Sequence, residues 1–131
     1  MEQGQRDYYR GEIYYADLNN TVGHEQYGIR PVLILQNDVG NCYSPNVIVT
    51  VASKHISKKK HQPTHVTLDG IEGMDGKSQF QLETIYTVDK RRLRQYVGKL
   101  TDTQMDKIDA ALRVSLYLSE DDYLPTEVEA P

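Results

Sequence analysis

The apolar residues of this chain come in short runs broken by Gly, Asn, Pro and Asp, and one stretch alone carries a sustained helical period. Runs of four to eight suit strands, whereas helices need about ten residues or more. The chain is therefore expected to be mainly β with a helix at its end. Residues 9–17 (YRGEIYYAD) are rich in β-formers and read as a first strand. Residues 19–28 hold two glycines and many polar side chains without a period, and read as a long loop. Arg30 and Pro31 open a second strand that runs to residue 36, since proline is tolerated at a strand start. Residues 37–45 (NDVGNCYSP) read as a chain reversal, followed by a β-branched, central third strand over 47–53. A fourth strand is expected over 64–68, the glycines of GIEGMDG turn the chain, and 79–88 supplies at least one more. Residues 89–95 suit a brief helical turn and 96–100 a last edge strand. The helix spans 103–118, where Met105, Ile108, Leu112 and Leu116 recur on one side and Thr101 with Gln104 fits a capping box.

A chain of 131 residues is long enough to bury a core without metals or disulfides, and one domain over 1–118 is expected. The remainder, 119–131, is acidic and proline-bearing and reads as a disordered tail. That tail decides what the net charge of −4 means. It holds Glu120, Asp121, Asp122, Glu127 and Glu129 and no Lys or Arg, so residues 1–118 carry 15 bases against 14 acids. Within that near-neutral body, residues 54–65 (KHISKKKHQPTH) carry four Lys, three His and no acid. A phosphate-bearing partner is thus compatible with the composition. The apolar runs at 31–35 and 47–52 fall far below the roughly 20 residues of a membrane-spanning helix. The first ten residues lack the apolar stretch of a secretory signal, and a lone Cys42 agrees with a reducing compartment, so a cytoplasmic protein with no membrane partner is expected.

The chemistry narrows by residue type. His24, His55, His61 and His65 show no HExxH or zinc-finger spacing and read as solvated loop histidines. The stretch GIEGMDGK lacks the strand before it and the helix after it that a phosphate-cradling loop requires. There is no GxSxG elbow, and Cys42 has no neighbouring base to lower its pKa. RNA cleavage by its own 2′-hydroxyl needs neither a metal nor a protein nucleophile. It needs sugar and phosphate held in line, charge stabilised on phosphate oxygens, and protons moved. Arg30, at a strand mouth, and Ser53, at the end of an apolar strand, are the candidates. Taken singly, each also fits a surface ion pair or a strand-end cap, and periodicity does not choose between these readings.

Several stretches, in order, resemble the MazF/PemK family of toxins: RGEIYYADLNNTVGHEQYGIRPVLILQNDVGN, YSPNVIVTVASK, QPTHVTL, LETIYTVDKRRL and TDTQMDKIDAAL, which together cover about residues 9–117. The resemblance implies a small SH3-like β-barrel with appended helices and a C-terminal amphipathic helix. It implies a sequence-specific, metal-independent endoribonuclease, the toxin of a type II toxin–antitoxin pair, which cleaves single-stranded mRNA to a 2′,3′-cyclic phosphate without a cofactor. It further implies a homodimer that binds single-stranded RNA and a cognate antitoxin, with which it binds DNA. The family's catalytic arginine falls on Arg30 and its catalytic threonine on Ser53. Gln26, Tyr27, Asn37, Lys54, Glu83 and Thr84 fall on the implied RNA path. The sequence departs from the family pattern at Ser53, at Thr84 and Tyr86, where glutamine and arginine are common, and at Tyr27 within the usual QGG. The alternative is a non-catalytic relative that binds gyrase, RNA or an antitoxin.

Overall fold

The computed structural model of the chain describes residues 7–19, 28–57 and 62–118. Among them the order is β1 (Glu12–Asp17), β2 (Ile29–Ile34), α1 (Asp38–Tyr43), β3 (Asn46–Val51), β4 (His65–Leu68), β5 (Ser78–Gln81), β6 (Tyr86–Asp89), a 3-10 turn (Lys90–Arg92), β7 (Leu93–Lys99) and α2 (Asp102–Leu116). The mainly β pattern and the terminal helix are as the sequence implied. Two local details differ. Residues 37–45 reverse the chain through a short helix rather than an open turn: the Asn37 side chain accepts from the Gly40 N–H at 2.8 Å, and buried Asn41 donates to the Gln36 carbonyl at 2.9 Å. Asparagine suits turns and helix caps for one reason, a side chain that bonds nearby backbone, so its presence alone does not choose between them. In keeping with the expectation of at least one strand over 79–88, β5 and β6 flank a turn that Thr84 N–H closes on the Gln81 carbonyl at 2.9 Å. The edge strand begins at Leu93, three residues earlier than the sequence suggested. The acidic stretch 119–131 and the lysines at 58–60 lie outside the described residues.

β6-β3-β2-β1-β7 form one antiparallel sheet, and β4 pairs with β5 in a second. Successive side chains on a strand point to opposite faces, so a sheet buried on both sides has no polar alternation. That is why residues 32–35 read VLIL. Leu33 and Leu35 join Ile13, Ala52, Val66, Leu68, Ile71, Phe80, Leu82 and Leu100 in one core, which Ile108 and Ala111 of α2 cover. Val32 and Ile34 join Tyr14, Ala16, Leu18, Val47, Val49, Val88 and Leu93 in the other. Each fully buried large aliphatic side chain contributes about 1.5–3 kcal/mol relative to exposure, so these two clusters hold the fold. Register shifts where β7 crosses β1 at Ile13, Tyr14 and Ala16 bend the sheet, as bulges do. Beyond β3, Ser53 bridges to Gln79 of β5 and links the two sheets into an incompletely closed, barrel-like wrap. The Arg10 guanidinium donates to the Leu35 carbonyl at 2.8 Å and to Asp109 at 2.7 Å, which ties β2 to α2. No helix among the described residues is long and apolar enough to cross a membrane.

Candidate active site

The neck of the loop between β1 and β2 is built by backbone bonds and two arginines. Leu18 N–H donates to the Gly28 carbonyl at 2.9 Å, and Gly28 N–H to the Asn19 side chain at 2.8 Å. Gly28 has φ +82°, a backbone that side chains rarely adopt. Arg92 donates to the carbonyls of Asp17 at 3.0 Å and Asn19 at 2.7 Å, and Arg94 pairs with the Asp17 carboxylate at 3.3 Å. The chain thus enters β2 in a fixed direction, and Arg30 is its second residue.

β2 and β3 pair Val32 with Val51, and the ladder continues through an Ala52 N–H to Pro31 carbonyl bond of 2.9 Å. Arg30 and Ser53 are the next residues along the two chain segments, and both line one pocket. Proline at 31 costs nothing here beyond its missing N–H. Ser53 turns its own backbone the other way, its N–H donating to the Gln79 carbonyl at 3.0 Å and its carbonyl accepting from Gln79 N–H at 2.8 Å. Below it, the Thr50 hydroxyl donates to the Thr84 carbonyl at 2.8 Å and holds the turn between β5 and β6.

These contacts outline a pocket of about 380 Å³ lined by Arg30, Thr50, Val51, Ser53, His55, Gln79, Gln81, Thr84 and Tyr86. Of the residues the resemblance singled out, Arg30, Ser53 and Thr84 meet there. The others do not. Asn37 lies outside the lining because its side chain caps α1. Lys54 points away and gives its ammonium to the Asp75 carbonyl. Glu83 faces β4, where its carboxylate meets His65 Nε2 at 2.9 Å. Partial burial pushes the Glu83 carboxyl up, but hydrogen bonds from His65, its own backbone and Thr64, together with the His65 charge, leave it below its ordinary value. Gln26 and Tyr27 fall outside the described residues.

His55, Gln79, Gln81 and Tyr86 were not chosen as site residues from the sequence. For the two glutamines a signal existed: SQFQ alternates, with Phe80 in the core and polar neighbours on either side. His55 carried none, because a single histidine in a basic loop has no period to read. The pocket offers one guanidinium, hydroxyls, two amides, an imidazole and a phenol, a set suited to an anionic, hydrogen-bonding ligand. No group of three His, Cys, Asp or Glu side chains placed to hold a metal ion occurs among the described residues.

The sequence and the fold both match known proteins. Residues 9–116 match the model of the PemK-like, MazF-like toxins of type II toxin–antitoxin systems. The chain is 48% identical over 110 residues to the endoribonuclease EndoA of Bacillus subtilis (strain 168), covering 83% of this chain and 94% of that protein. It superimposes with a TM-score of 0.69 on an endoribonuclease in complex with its cognate antitoxin from a mycobacterial species, at 28% identity, covering 85% of this chain and 96% of that one. MazF of Deinococcus radiodurans shares the fold at 22% identity, with a TM-score of 0.68 over 88% of this chain and all of that one. With a family match across more than four-fifths of its length and a relative 48% identical over most of both chains, the chain belongs to the PemK-like, MazF-like toxins of type II toxin–antitoxin systems.

Proposed function

We propose that this chain is a toxin endoribonuclease that cuts single-stranded mRNA in the pocket around Arg30 and Ser53, under the control of a cognate antitoxin. The observation that carries the reading is the convergence of those two side chains on one open pocket from strands 23 residues apart. The relative at 48% identity is named an endoribonuclease, and the structure at 28% identity is an endoribonuclease with its cognate antitoxin. The protein acts in the cytoplasm, where mRNA lies, and as a homodimer.

In the reaction the RNA supplies the nucleophile. Its 2′-oxygen attacks the adjacent phosphorus, the 5′-oxygen leaves, and a 2′,3′-cyclic phosphate remains. Arg30 stays protonated, so it acts as an electrostatic clamp on the phosphate oxygens rather than as a base. Ser53 offers a hydroxyl beside that clamp. Thr84 and the glutamines present polar groups to the bases, and the Tyr86 ring offers a stacking face worth about 1–3 kcal/mol per base.

The test is incubation of the purified protein with a long single-stranded RNA in EDTA, followed by end-group analysis. Discrete cuts with cyclic phosphate ends are expected. Arg30→Ala should slow cleavage by about a hundredfold or more, the usual loss when one donor to a developing oxyanion is removed. Its melting temperature should stay within a few degrees of the parent, because Arg30 is exposed. Intact RNA together with arrested gyrase would overturn the reading in favour of a non-cleaving toxin.

A further inference from the structure

The reaction proposed above needs a group that takes the 2′-hydroxyl proton, and neither Arg30 nor Ser53 does this readily near neutral pH. Arginine stays protonated, and an alcohol is too weak a base. Imidazole is the side chain whose ordinary titration falls between pH 5 and 8. Of the two histidines among the described residues, His65 is paired with Glu83 on the β4 side, whereas His55 lines the pocket with Arg30 and Ser53.

The position of His55 is built rather than incidental. It stands in the middle of a five-residue segment, 53–57, that one residue of β5 grips at both ends. Ser53 is bridged to the Gln79 backbone by bonds of 3.0 and 2.8 Å. Ser57 N–H donates to Gln79 Oε1 at 3.3 Å, and the Gln79 side chain is in turn bonded by Gln81 Nε2 at 3.1 Å. Gln79 is only 5% exposed, so this anchor is a buried one. Between the two ends, the Ser53 hydroxyl accepts from His55 N–H at 3.1 Å and donates to the His55 carbonyl at 3.3 Å. The tether fixes the His55 backbone two residues from Ser53, and His55 is exposed and lines the pocket.

We propose that His55 is the general base of RNA cleavage in this protein, and that the Ser53 hydroxyl, besides lying beside the phosphate, positions it. This rests on the ribonuclease reading above. The 2′-hydroxyl proton passes to the neutral imidazole as the 2′-oxygen to phosphorus bond forms. The phosphorus to 5′-oxygen bond breaks, that oxygen takes a proton from solvent, and the imidazolium returns its proton to solvent between turnovers. No oxidation or reduction is involved.

Such a base must be neutral to work, so the cleavage rate should fall on the acid side as the imidazole charges. The other charged or titratable groups that line the pocket with His55 are Arg30 from β2 and Tyr86 from β6, while Lys54 on its own segment is turned to the Asp75 carbonyl of the loop before β5. Arginine and tyrosine side chains ordinarily titrate far above neutrality and do not produce an acid limb.

The experiment measures single-turnover cleavage of one defined RNA between pH 5 and 8.5 for the parent protein, Arg30→Ala, His55→Gln and His55→Ala, each with a melting curve. Parent activity lost in Arg30→Ala establishes the reaction first, so a failure of the His55 assignment stays distinguishable from a failure of the ribonuclease reading. Loss of about a hundredfold in both His55 variants, with unchanged melting and a rate no longer rising between pH 5 and 7, supports the assignment. His55 variants that keep the parent rate, or that keep its acid limb, overturn it. His55→Gln retains a hydrogen-bonding side chain without a titrating proton, so a purely structural role would leave its pH profile intact.

Discussion

At the scale of single residues, Ser53 is held twice over: by its backbone to β5 and by its hydroxyl to the chain two residues on. Removing the hydroxyl therefore removes a group beside Arg30 and loosens the loop that follows. Ser53→Ala is expected to slow cleavage at least about tenfold while costing no more than about 1 kcal/mol of stability, the net worth of an exposed hydrogen bond. Ser53→Thr keeps the oxygen and stiffens its rotamer, so its rate should stay within a few-fold of the parent. Cleavage assays with parallel melts check both. The Glu83–His65 pair acts on stability instead. A carboxyl whose folded pKa lies below its ordinary value of 4.5 stabilises the fold above that pH and loses the contribution as pH falls through the lower value. Urea unfolding of Glu83→Gln should show a deficit of at most about 1 kcal/mol near pH 6 that shrinks as pH falls below 4.5, small because the carboxylate is nearly half exposed. A deficit that does not change with pH would point to lost packing.

At the scale of elements, two features decide how securely the scaffold holds the pocket. The α2 helix starts with a reciprocal cap: Gln104 N–H donates to Thr101 Oγ1 at 3.1 Å, and Thr101 N–H to Gln104 Oε1 at 2.9 Å. Thr101→Ala should cost about 1 kcal/mol, a few degrees in melting temperature. The second feature is the contact between β7 and the loop after β4. A Cβ added at Gly98 would overlap the Glu72 carbonyl, and one added at Gly73 would overlap the Val97 carbonyl. Backbone packed on backbone cannot give way as a flexible side chain does. Gly98→Ala is accordingly expected to destabilise by about 1–3 kcal/mol in urea unfolding, despite adding only one methyl group.

At the scale of the whole molecule, charge is divided between a near-neutral body with a basic stretch at 54–65 and an acidic terminus. An RNA held by Arg30 and by those lysines releases counterions, so binding of an RNA with a 2′-deoxy cut site should weaken about tenfold or more between 50 and 200 mM salt. Fluorescence anisotropy reads this directly, and salt-insensitive binding would assign the lysines to solvation alone. The sequence by itself determined what local pattern can encode. Strand-length apolar runs, VLIL among them, and a capped helix expected over 103–118 were legible before any coordinates, and the order of motifs pointed to the family. What only the tertiary structure decided is which side chains share the pocket. Lys54 and Glu83 are near neighbours in sequence of Ser53 and Thr84, yet one is turned to the Asp75 carbonyl and the other to His65. His55 and Gln79, 24 positions apart, line the pocket together instead. Periodicity states which face of its own strand a residue occupies; it is the register between strands, set by packing two cores against opposite sides of one sheet, that states what lies opposite.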